Sequence, residues 1–154
     1  MLIATKHKKE EVIAPLFFEE LGIASFVLDN LDTDLFGTFT GDIEREGGPL
    51  DALRKKVEMA MSLADVDLIV ASEGSFGPHP SLFFLPAADE MLLFVDKKNN
   101  LEIVAREIST DTNFRSAEVN SEEELLAFAE KALFPSHALI LSVAHQQPPI
   151  FVKG

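Results

Sequence analysis

The chain has 154 residues, 47% of them apolar, and a formal net charge of -13, which suits a single globular domain spanning 1–154 that buries roughly two-thirds of its unfolded surface unaided. The absence of cysteine excludes disulfides, Fe–S clusters, thiolate zinc and thiol catalysis, and agrees with a reducing compartment. The acidic balance argues against nucleic acid as a partner, since that affinity comes from basic groups on phosphates, and no apolar run reaches the roughly 18 residues of a membrane span, so a soluble, cytoplasmic protein is expected.

Leu2 to Thr5 reads as a first strand, and the basic turn Thr5-Lys6-His7-Lys8-Lys9-Glu10 leads into a helix through Leu21. Its apolar positions Val12, Ile13, Leu16, Phe17 and Leu21 follow helical spacing. Pro15 predicts a kink or a later start near Ile13, and Gly22 a stop. Ala24 to Leu28 suits a second strand. Asp29 to Gly48 has no sustained period and reads as a long loop.

Pro49 opens the clearest helix, with Leu50, Leu53, Val57, Ala60, Met61 and Ala64 as its apolar stripe. Asp67 to Ser72 is a buried strand, after which Ser72-Glu73-Gly74-Ser75-Phe76-Gly77-Pro78-His79-Pro80 reads as a glycine-rich loop. Met91 to Val95 and Leu101 to Ile108 form a hairpin about Lys97-Lys98-Asn99-Asn100. Ser121-Glu122-Glu123-Glu124 has capping-box form and starts a helix buried through Leu125, Phe128, Ala129 and Ala132. His137 to Val143 is a last strand. The order predicts an α/β fold: a mixed, largely parallel central sheet with an antiparallel hairpin and helices packed on it.

Three constellations could carry chemistry. Thr5, Lys6, His7, Lys8 and Lys9, at a helix start, favour a phosphate, against the alternative of a solvated charge run. Ser75 joins this phosphate-binding set. Asp32 and Asp34, within Asp32-Thr33-Asp34-Leu35-Phe36-Gly37-Thr38-Phe39-Thr40-Gly41, offer oxygen ligands to a hard cation, against the alternative of an Asx turn leading to an edge strand.

Glu73, at the end of a buried strand, needs a cation, a proton or hydrogen bonds. His79 could exchange a proton or simply satisfy its loop. Glu90, Asp96, Arg106, Glu107 and the Thr110 to Arg115 cluster are weaker candidates. No catalytic triad order, HExxH pair or dinucleotide fingerprint is present.

Together, the Thr5–Glu10 turn, the Asp32–Gly41 segment, Ser72 to Pro80 and Thr112-Asn113-Phe114 resemble an uncharacterised bacterial domain-of-unknown-function family. The resemblance spans most of the chain and names no activity. It implies a further C-terminal segment in relatives.

A looser similarity is to the inosine/xanthosine triphosphatase and Maf group of nucleotide pyrophosphatases. Thr5, Lys8 or Lys9, the Arg54-Lys55-Lys56 helix and Glu73-Gly74 occupy comparable places. That resemblance implies lysines on phosphates and Glu73 on Mg²⁺. His7 stands where Asn is usual, the lysine spacing is shifted, and Glu73-Gly74 replaces Asp-Ser-Gly.

The leading expectation is a hydrolase of a nucleotide or other phosphorylated small molecule, with Mg²⁺ or Mn²⁺ held by Glu73, Asp32 and Asp34, and with Glu73 and His79 as the catalytic groups. Its rival is a non-catalytic domain binding a small anion or metal. A third reading is a homo-oligomer joined through Leu82-Phe83-Phe84-Leu85-Pro86, set against core packing of Phe83 and Phe84.

Overall fold

Leu2–Ala4 forms strand β1 in the computed structural model, which describes residues 1–5, 8–28, 31, 48–113, 115–137 and 139–142, and for the backbone alone 151–153. Then follow α1 (Glu10–Leu21), α2 (Pro49–Leu63), β2 (Leu68–Pro78), β3 (Pro86–Asp96), β4 (Leu101–Ser109), α3 (Glu122–Lys131), β5 (Ile140–Ser142) and β6 (Phe151–Lys153). None of the described helices is long and apolar enough to cross a membrane.

The chain divides into two compact units. The first holds Met1–Ser75 and Asp89–Ser109, the second Phe76–Ala88 and Thr110–Gly154.

The first unit is built on a sheet of order β1-β2-β3-β4. β1 and β2 run parallel in the register Leu2↔Ile69, Ile3↔Val70, Ala4↔Ala71. The remaining neighbours are antiparallel. The sheet is therefore mixed, and the expectation of a largely parallel one is corrected: short turns join β2 to β3 and β3 to β4, and only a long crossover can join parallel strands.

The strand expected over Ala24 to Leu28 shrinks to one bridge, Leu2↔Phe26. The loop expected after Ser72 is instead strand, since β2 runs unbroken to Pro78.

Alternation along the strands sends successive side chains to opposite faces. On one face Leu2, Ala4, Ile69, Ala71 and Leu93 pack with Leu53, Val57 and Ala60 of α2. This is the stripe its sequence predicts. Asp51 accepts a hydrogen bond from the Gly48 N–H at 2.9 Å and, with Pro49, fixes the start of α2.

On the other face Ile3 and Val70 meet Ile13 of α1, and Phe17 stacks on Phe94 with ring centroids 6.0 Å apart. α1 starts at Glu10 despite Pro15 and ends at Gly22, whose left-handed φ of 66° closes the expected stop. It buries a narrow stripe only, leaving Val12, Leu16 and Leu21 exposed. Asp96 secures the β3–β4 turn by accepting hydrogen bonds from the Asn99 backbone and side chain at 3.1 and 2.6 Å.

In the second unit a tight turn joins Pro78 to Pro86, closed by the His79 N–H on the Leu85 carbonyl at 2.8 Å. Phe83 and Phe84 are 77% and 81% exposed. Core packing of these two rings is corrected: they sit in the turn between β2 and β3, where both stay largely in solvent. Ser121 caps α3 by accepting from the Glu124 N–H at 3.2 Å. The last strand expected, His137 to Val143, is β over Ile140–Ser142 only, paired antiparallel with β6.

Candidate functional site at the end of the parallel strand pair

Where β1 stops at Ala4 opposite Ala71, β2 continues past it through Ser72, Glu73 and Gly74. The carboxyl end of a parallel pair is a common ligand position in α/β sheets. Thr5, at the turn off β1, is buried there. Alternation then separates the neighbours: Glu73 follows Ile69 and Ala71 to the α2 face, and Ser72 follows Val70 to the α1 face.

On the α2 face the Lys56 ammonium is buried against the Glu73 carboxylate and also donates to the Ser72 carbonyl at 2.9 Å. Lys56 falls on the apolar stripe of α2, between Leu53 and Val57, so its stem packs in the core while its charge reaches the strand end. Two buried charges in one pair satisfy each other where either alone would be costly.

Further out, Arg106 forks onto Asp89 at 2.8 and 2.6 Å. That hydrogen bond holds the Asp89 carboxyl below its ordinary range despite partial burial. Arg54 bonds Glu102 at 2.7 Å, and its guanidinium pKa is raised by that bond.

On the α1 face Lys9 Nζ meets the Glu90 carboxylate at 2.7 Å. Lys8 has a left-handed φ of 57° just before α1. Lys9, Val12, Ile13, Ser72, Glu90, Leu92, Ala105, Arg106 and Glu107 line a cleft of about 480 Å³. Ser72 is 7% exposed, and its hydroxyl has no hydrogen-bond partner among the described residues. Glu90 occupies the space above Gly74: a Cβ there would lie 2.8 Å from its carboxyl carbon. Glycine in mid-strand thus reflects a close approach from the neighbouring strand.

The residues singled out by sequence are distributed as follows. Glu73 meets Lys56, and Lys9 meets Glu90, on opposite faces of one sheet end. Ser75 is half-buried on β2, and Lys8 is exposed, 4.0 Å from Glu11. His79 accepts at Nδ1 from the Ser81 and Leu82 N–H groups, both at 3.1 Å, so the ring is tied to its own turn. Lys6, His7, Asp32 and Asp34 lie outside the described residues.

Among the described residues no cluster of three or more metal-ligating side chains occurs. Sequence reading passed over the Ser72 hydroxyl. Its signal was a lone polar residue ending an apolar run one position before an acid.

No curated protein and no solved structure matches the chain. The family model for DUF6671, a domain of unknown function, matches residues 56–154. The matched stretch carries Lys56, Ser72, Glu73, Glu90 and Arg106. The chain belongs to this domain-of-unknown-function family, DUF6671.

Proposed function

We propose that the α1-face cleft binds a phosphorylated small molecule, with Lys9 and Ser72 as its contacts. The Ser72 hydroxyl carries this reading: it is buried, lacks a partner among the described residues, and lines the same cleft as Lys9. A buried hydroxyl without a hydrogen bond costs stability, and a phosphate oxygen would supply the bond. Lys9 can exchange Glu90 for that phosphate cheaply, because a half-exposed ion pair is worth only about 0–1 kcal/mol. The apolar part of the ligand would lie along Val12, Ile13, Leu92 and Ala105.

Hydrolysis of the bound ester with Mg²⁺ or Mn²⁺ is a second reading. It is favoured by Glu90 and Glu107, two carboxylates on the same cleft, which would give a hard cation oxygen ligands. Glu73 suits that role less, because Lys56 already neutralises it.

Thermal shift against inorganic phosphate, phosphate monoesters and nucleotides, with and without Mg²⁺ or Mn²⁺, tests both readings. Binding predicts a rise in Tm with ligand that disappears in Lys9→Ala and Ser72→Ala. Phosphate release that needs the metal would add catalysis. A Tm indifferent to every compound, or a shift that survives both substitutions, rejects the site.

A further inference from the structure

Among the described residues strand β4 ends the four-stranded sheet, and Leu101 through Glu107 are exposed along it. An edge strand of this length presents a row of outward N–H and C=O groups, and proteins normally blunt such an edge with proline, charged side chains or a bulge. The sequence Leu101-Glu102-Ile103-Val104-Ala105-Arg106-Glu107 has no proline, and its charges, Glu102, Arg106 and Glu107, are of both signs, so an antiparallel copy can pair them rather than be repelled. Ile103 and Val104, at its centre, are exposed apolar residues. We propose that β4 is the interface of a homodimer, pairing antiparallel with β4 of a second copy about a two-fold axis through Val104.

Charge sets the register. A two-fold axis perpendicular to the sheet makes antiparallel copies continue it with like faces on the same side, so the axis must pass through one residue. Through Val104 it sets Glu102 opposite Arg106 of the second copy, twice. An axis through Ile103 sets Glu102 opposite Val104, and one through Ala105 sets Arg106 opposite Val104. The Val104 register alone of these three pairs opposite charges, and opposite-charge cross-strand pairs stabilise.

Both side chains are already oriented by neighbours in their own copy, Glu102 by Arg54 and Arg106 by Asp89. The dimer would join them into an alternating row, Arg54, Glu102, then Arg106 and Asp89 of the second copy. The same register sets Ile103 opposite Ala105 and Val104 opposite itself.

The absence of cysteine makes a direct test possible. Sedimentation equilibrium of the full chain should show a mass rising with concentration from 16.9 kDa towards twice that value. Val104→Lys, which sets two ammonium groups face to face, should abolish the rise while circular dichroism shows the fold kept. Under mild oxidation Val104→Cys should form a disulfide-linked dimer. Ile103→Cys alone should not, whereas a mixture of Ile103→Cys with Ala105→Cys should. A mass constant at 16.9 kDa, a dimer that survives Val104→Lys, or linkage through Ile103→Cys as fast as through Val104→Cys overturns the proposal.

Discussion

Lys56 and Glu73 form a buried ion pair between α2 and the end of β2, on the face of the sheet opposite Lys9. Each charge leaves water to reach the other, so the pair positions the strand end more than it adds net stability. Glu73 was legible as an acid needing a cation. The cation is supplied by Lys56 of the second basic cluster, on α2, while Lys9 of the first cluster, after β1, meets Glu90 instead.

Removing one member of this pair should cost far more than removing both. Lys56→Met or Glu73→Leu alone leaves an uncompensated buried charge, with an expected loss of about 3–5 kcal/mol. The double variant Lys56→Met with Glu73→Leu should recover most of that loss. Urea unfolding of the four proteins measures the coupling, and strict additivity of the two single losses would show that the charges do not depend on each other.

How far the sequence could be read follows from what each feature depended on. α2 was legible because its stripe is a local, periodic signal that Leu53, Val57 and Ala60 obey. Gly22 was legible as a stop because a left-handed residue after a helix is itself a local demand. The stretch Ser72 to Pro78 was misread as loop because two glycines and a proline suggest one. Gly74 lies in mid-strand, and the demand for glycine there comes from Glu90, distant in sequence, which fills the space over it. The site's two-faced division was hidden for the same reason: it depends on which residues of β3 and α2 arrive opposite β2.

Gly74→Ala should separate that close approach from folding itself. The new methyl would meet the Glu90 carboxylate, the far end of a flexible side chain that can swing aside and give up Lys9. A stability loss below about 1 kcal/mol is expected, since the pair lost is partly exposed. Lys9, released from Glu90, should then bind inorganic phosphate more tightly. Chemical denaturation and phosphate titration check both parts, and unfolding of the variant would mean that Glu90 cannot move.

The Arg106–Asp89 fork contributes to the acid limb of stability. Asp89 has a pKa lowered first by the hydrogen bond from Arg106, partly offset by burial. A carboxylate whose folded pKa is depressed contributes stability above its unfolded value, about 3.9, and loses it as pH falls through the folded pKa. Asp89→Asn should therefore weaken the protein at neutral pH and flatten the decline below about pH 4. Tm measured from neutral pH downwards should show the two curves converging in acid, and parallel curves would remove Asp89 from the acid response.

Ser72→Ala should make the ligand-free protein more stable while making it a poorer binder. The wild-type hydroxyl is buried and without a partner among the described residues, and such a group costs about 1–3 kcal/mol relative to an apolar replacement of the same shape. Alanine removes that cost and leaves the packing around Val70 and Ile13 nearly unchanged. If the hydroxyl is kept for a ligand, the same substitution removes the bond that offsets its burial in the complex, so the Tm rise with phosphate ester should shrink as the ligand-free Tm increases. A merely structural serine, bonded to a group of the fold itself, would give the reverse sign: Ser72→Ala would lower the ligand-free Tm. Paired melts of wild type and variant, with and without ester, read both signs in one experiment.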